Sequence, residues 1–233
     1  DGVIPVIESI LSTGSPSQPL GAEITTAYIL PPGAEYLKVV RKIRNVMPRT
    51  IRVAMNIVGI VFGDGARGMF PGVGFKTPPQ GRSMGYYAAV GRDISYGWYA
   101  AEAYTVLFDF HGLVFASYPS FEIPMGETFT ETRYLAVGTG DVESVSRIAA
   151  TFLQADRTAT MSGTAVDELG TPIPGALVHV LEEGARARDS GYVSNARTDA
   201  AGAFRASVAP GRYDLFVTTE GRPLSAGVTV EAT

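Results

Sequence analysis

No cysteine occurs among the 233 residues, and histidine appears only twice, at His111 and His179. The first absence excludes disulfides, thiolate nucleophiles and Cys-ligated metal sites. The second leaves too few imidazoles for a zinc or two-metal hydrolase, so no metal centre and no cofactor is expected. Charge of one sign is also scarce: 23 acidic against 19 basic residues give −4, which provides no electrostatic footprint for nucleic acid. Long apolar runs are missing too. Without 18 consecutive apolar residues no membrane span is expected, and Asp1–Leu11 lacks the basic region and cleavage pattern of a signal peptide. A chain that opens on Asp1 rather than methionine implies processing, tag removal or a fragment.

What is present is glycine, at 27 positions, and proline, at 15, in a chain that is 45% hydrophobic. Such a chain can fill real cores, and its turn residues separate short strands rather than long helices. The pattern becomes more regular beyond residue 155, so two domains are expected, 1–154 and 160–233. Both read as β-sandwiches, with one or two short helices in the first.

In the first domain, Ile4, Val6, Ile7, Ile10 and Leu11 suggest an edge strand or short amphipathic segment. Gly21–Leu30 alternates until Pro31-Pro32-Gly33 stops it. Glu35–Val46 has Leu37, Val40 and Ile43 at helical spacing, although its β-branched residues leave a strand open. With Arg49 it carries the basic cluster Arg41, Lys42 and Arg44, read as a solvated face or, less simply, a contact for phosphate or an acidic partner. Thr50–Phe62 reads as one long strand. The glycine-dense loop Gly63–Phe75 follows it, without the terminal Gly-Lys-Ser/Thr of a phosphate loop. It suits the rim of a sandwich or, through Asp64 and Arg67, a ligand contact. From Met84 to Tyr118 aromatic and small residues alternate, with turns at Gly91-Arg92-Asp93 and His111-Gly112. This aromatic band is either core or a stacking surface for sugars or an apolar partner, with Trp98 and Tyr99 the residues to watch. Asp141 is a fitting N-cap for a helix over Val142–Leu153, in which Val142, Val145, Ile148, Ala149 and Phe152 share one face.

In the second domain strands are expected at Thr160–Val166, Leu177–Leu181, Gly191–Arg197, Ala203–Val208, Arg212–Thr218 and Val228–Glu231. His179, between Val178 and Val180, should point to solvent. Gly163-Thr164-Ala165-Val166-Asp167, Gly170-Thr171-Pro172-Ile173-Pro174-Gly175-Ala176-Leu177-Val178, Thr198-Asp199-Ala200-Ala201-Gly202-Ala203-Phe204 and Pro210-Gly211-Arg212-Tyr213-Asp214-Leu215 together resemble the carboxypeptidase regulatory-like domain. That resemblance implies a transthyretin-like β-sandwich and a non-catalytic companion role beside peptidases, receptors and secreted or surface hydrolases. It carries no catalytic residues. In the first domain, the strand with its Gly-Asp-Gly loop, the aromatic strands and Arg133–Asp141 before a helix resemble the galactose-mutarotase-like sandwich that accompanies some exported bacterial phosphohydrolases.

The expectation is therefore an extracellular, periplasmic or cell-surface accessory or structural module without catalytic residues. It would bind a glycan or protein partner, support a catalytic domain absent from this chain, or self-assemble. Its possible ligand-binding residues are Asp64, Arg67, Asp93, Trp98, Tyr99 and His111. The alternatives are a carboxylate-based carbohydrate-active hydrolase or lyase, with Asp64, Asp93 and His111 in one cleft, and a surface-layer or filament subunit. Asp109, Glu122, Glu127 and Glu131 complete the carboxylates available for acid–base pairing, and no spacing places any two of them together.

Overall fold

The computed structural model describes residues 21–53, 56–61, 65–76, 83–110, 113–153, 159–185, 191–221 and 224–233. The expected N-terminal edge strand and most of the linker at 154–160 lie outside them. Within them the chain is mainly β, with sixteen strands and one helix.

The larger sheet runs β1 (Ala22–Ile29), β2 (Tyr36–Asn45), β10 (Thr128–Gly138), β7 (Ser95–Phe110), β6 (Ser83–Val90) and β5 (Arg67–Met69). Its long strand β7 also pairs with β8 (Leu113–Tyr118), which pairs in turn with β4 (Asn56–Val61). The segment with helical spacing at 35–46 is thus strand β2. Between β1 and β10 its alternation has period 2, with Ile43 and Asn45 buried while Lys42 and Arg44 are exposed. Ladder partners on both sides outweigh a local helical pattern.

The long strand expected over 50–62 is represented by β3 (Ile51–Val53), paired with β9 (Phe121–Ile123), and β4, paired with β8, in one register: Val53 faces Phe121 and Asn56 faces Tyr118.

Small residues in the aromatic strands have a clear use. Tyr36, Ala136, Gly97, Ala88 and Met69 form one row across β2, β10, β7, β6 and β5. The centre of that row is a shallow trough between two larger side chains. Helix α1 (Val142–Leu153) lies over this face and buries Val142, Val145, Ile148 and Ala149. Phe152 completes the contact, its ring 4.2 Å from that of Tyr134 and 4.8 Å from that of Tyr36. Four rings of the aromatic band belong to the core: Tyr87, Trp98, Tyr99 and Tyr118 are all buried. Trp98 Nε1 donates to Tyr118 Oη at 2.8 Å, giving its polar end a partner inside.

The C-terminal residues form a two-stranded sheet, β11 (Ala159–Thr164) with β14 (Ala203–Val208), and a four-stranded sheet. The latter runs β13 (Tyr192–Arg197), β12 (Leu177–Glu182), β15 (Gly211–Thr218), β16 (Val228–Ala232). Met161, Val180, Ala196, Ala206, Val208 and Tyr213 pack between the two sheets. Asp199 Oδ1 accepts from Ala201 N and Ala203 N, as the turn chemistry requires.

Gly97→Ala tests the trough. Its Cβ would lie 2.5 Å from Tyr99 Cε2 and 3.0 Å from Val145 Cβ, so urea denaturation should show a loss of about 1–3 kcal/mol from overpacking.

Candidate functional site

The first turn of a helix has N–H groups without intrahelical partners, and a buried one must find them elsewhere. In α1 they are met from two directions. Asp141 Oδ1 accepts from Ser144 N at 2.8 Å, the expected N-cap. Asn195 Oδ1, on β13, accepts from Val142 N at 2.8 Å. The second Asp141 oxygen accepts from Arg197 N at 2.7 Å. The Arg197 guanidinium donates to the carbonyls of Arg92, Gly140 and Gly175. Glu143 accepts from both the backbone N–H and the hydroxyl of Ser207; burial pushes its carboxyl pKa up and these two bonds oppose the rise. Helix α1 is thereby a bracket between the large sheet and the C-terminal sandwich.

A second set of contacts comes from the glycine-dense loop. Phe70 and Gly74 bridge each other, and the turn between them places Gly72 against β13. There Gly72 N donates to Tyr192 O at 2.7 Å and Gly191 N donates to Gly72 O at 3.0 Å. Gly74 has φ +88°, and a Cβ on it would lie 3.2 Å from the Tyr192 ring. Phe75 meets that ring edge-on at 5.4 Å.

The outer face of the four-stranded sheet owes its polar network to a bulge. Val178 pairs with Ala196, His179 with Asn195 and Val180 with Ser194, but Leu181 pairs with Tyr192, leaving Val193 as the extra residue. Strict alternation would turn Tyr192 into the sandwich; the bulge re-aims it to the face of Asn195 and His179. Asn195 Nδ2 donates to Tyr192 Oη at 3.0 Å. Burial raises the Tyr192 pKa, so the phenol keeps its proton, and its Oη is hydrogen-bonded to His179 Nδ1 at 2.7 Å. His179 Nε2 is hydrogen-bonded to Thr218 Oγ1, also at 2.7 Å.

His179 is therefore not directed to solvent, because the face on which alternation places it is covered. Burial lowers its pKa to about 4, and with both ring nitrogens engaged it is a neutral structural group, not a base. Beside it a cavity of about 270 Å³ opens between the loop and the sheet, bounded by Arg67, Phe75, His179, Tyr192, Phe216 and Thr218 among others.

Four of the six expected binding residues are described, and these four do not form a cluster. Arg67 is exposed at the mouth of this cavity, 5.6 Å over the Phe75 ring. Asp93 is exposed in the turn between β6 and β7. Trp98 and Tyr99 are 7% and 2% exposed; they belong to opposite faces of the large sheet and offer no ring to a ligand. Asp64 and His111 lie outside the described residues. Among the remaining carboxylates, Glu122 and Glu127 are exposed. Glu131 is bound by Arg41 and Arg133, and Arg133 lies 4.0 Å over the Tyr118 ring. The basic cluster is thus split, since Arg41 turns inward to Glu131 while Lys42, Arg44 and Arg49 remain exposed.

Neither a dinucleotide fingerprint nor a nucleophile elbow was expected of this sequence, yet Gly63-x-Gly65-x-x-Gly68 has dinucleotide-fingerprint spacing and Gly81-x-Ser83-x-Gly85 has nucleophile-elbow spacing. Each chemistry needs a helix after the motif. Here the first runs into β5 and the second into β6, so neither positions a helix N-terminus for pyrophosphate or a strained serine.

Residues 160–233 match the family model of the carboxypeptidase regulatory-like domain. No curated protein sequence matches the chain. Among solved structures, a polysaccharide lyase aligns with 91% of this chain at 11% identity and TM-score 0.41. The TIE protein of Bacillus anthracis aligns with 95% of it at 11% identity and TM-score 0.25. The chain spans only 34% and 39% of those two proteins.

Two measurements follow from the seam. Asp141→Ala removes acceptors from two backbone donors, and chemical denaturation should show a loss of about 2–4 kcal/mol. His179 in the unfolded chain takes up a proton near its ordinary 6.5, whereas the folded chain resists to about 4. As pH falls through that window the unfolded state binds more protons and stability declines, by about 3 kcal/mol from this group. A pH series of urea midpoints should show the decline in the parent and a flatter profile in His179→Gln.

Proposed function

We propose that this chain is a non-catalytic accessory module of an exported or cell-envelope protein, composed of a β-sandwich unit at 1–154 and the carboxypeptidase regulatory-like unit at 160–233. Its work is to hold the two in one orientation, presenting a protein or glycan partner, or an attached catalytic domain, at a fixed angle. The observation that carries this reading is the seam: a capped helix end, an arginine on two carbonyls of the first unit and a backbone bridge all join the units. Inter-unit surfaces held only by loose polar contact permit relative motion; this one buries Asp141 and Asn195 with their partners, which ties motion to the loss of buried hydrogen bonds. The partnered polar groups support the same reading, because His179 and Glu131 are both consumed by internal partners.

Calorimetry and small-angle scattering on the whole chain test the proposal together. One cooperative transition and scattering from one compact body are the expected results. Two separate transitions, or product release from a panel of polysaccharides that disappears in Asp93→Ala, would overturn it.

A further inference from the structure

The hydrogen bonds of the outer sheet face form one continuous chain. Val142 N–H donates to Asn195 and Asn195 to Tyr192, whose hydroxyl is bonded to His179 Nδ1, while His179 Nε2 is bonded to Thr218. In the tautomer with the ring proton on Nε2, the Thr218 oxygen accepts from His179 and its own hydrogen can be given to a further acceptor. Thr218 lines the cavity, so the relay ends there in a hydroxyl able to donate to an occupant.

Around that donor the walls are apolar and aromatic: Leu181, Tyr192 and Phe216 from the sheet, and Val73 and Phe75 from the loop. Arg67 stands at the mouth with a ring beneath it. It has no carboxylate partner among the described residues, and no carboxylate lines the cavity. Lys76 also lines the cavity, and an anion with an apolar body matches both the walls and these donors.

We propose that this cavity binds a small carboxylate bearing an aromatic or branched apolar body, with Thr218 Oγ1 and Arg67 meeting the carboxylate and Phe75, Tyr192 and Phe216 enclosing the body. Such a carboxylate is offered both by a free organic acid and by the C-terminus of a peptide ending in an apolar residue.

Titration of the ¹⁵N-labelled full chain at neutral pH, followed by amide shifts, tests the site with phenylacetate and with its uncharged counterpart phenylacetamide. Saturable binding of phenylacetate that moves the Thr218, Phe216 and Tyr192 amides is expected, with phenylacetamide weaker by about tenfold. Arg67→Gln, at an exposed position, should lower phenylacetate affinity about five- to tenfold. Thr218→Val should lower it similarly, and Thr218→Ser should restore it. Gly-Gly-Phe in a parallel titration separates the sources: binding tighter than that of phenylacetate marks a peptide end, and weaker binding a free acid. Absence of saturable binding by either, equal affinity for acid and amide, or affinity indifferent to Arg67→Gln would overturn the assignment, whether or not Thr218→Val folds.

Discussion

A helix whose first turn is buried must have its free N–H groups answered by its surroundings, and in this protein that requirement joins the two halves of the chain. Asp141 answers Ser144 from within the helix's own entry. Val142 is answered by Asn195, more than fifty residues later. Helix α1 over the large sheet and the C-terminal sandwich share these buried hydrogen bonds, so each stabilises the position of the other. The trough of Ala136, Gly97 and Ala88 sets the depth at which the helix sits.

The other half of the seam depends on a local irregularity. A regular β13 would have placed Tyr192 in the sandwich core, where a phenol has less to do than a valine. The bulge at Val193 exchanges those two faces. It gives Tyr192 to the seam, where it serves at once as acceptor from Asn195, hydrogen-bond partner of His179 and ring against Phe75. The buried relay is consequently fully partnered along its length, the condition under which buried polar groups stiffen a structure instead of weakening it.

Much of the C-terminal sandwich was legible in the sequence because each strand there is bounded by turn residues whose chemistry is local: Asp199 and Gly202, Pro172 and Gly175, Gly211. The helix was equally legible, since Asp141 and the Val142–Phe152 spacing are local signals too. Residues 35–46 and the aromatic band were harder for the opposite reason. Whether Leu37, Val40 and Ile43 lie on a helix or a strand depends on the ladders offered by residues 22–29 and 128–138. Whether Trp98 and Tyr99 meet a sugar or a core depends on a helix packing from one side and Tyr118 from the other. His179 shows the limit most plainly. Alternation correctly assigned it to the outer face, but the covering of that face comes from Phe75 and Tyr192, and no spacing near His179 announces either. The same distance separates Arg67 from Thr218, so the cavity between them had no signature in the chain.

The bridge between Gly72 and residues 191–192 is made by main-chain atoms alone. Its chemistry is blind to most side-chain identities and strict only about size, as at Gly74, where a methyl group would press on a ring. Descendants of this chain could replace nearly every exposed residue near the bridge and retain the angle between the two units. Kinship in this architecture would then persist as a shared geometry, marked in the alignment by a few unvarying glycines, long after the surrounding text had become unrecognisable.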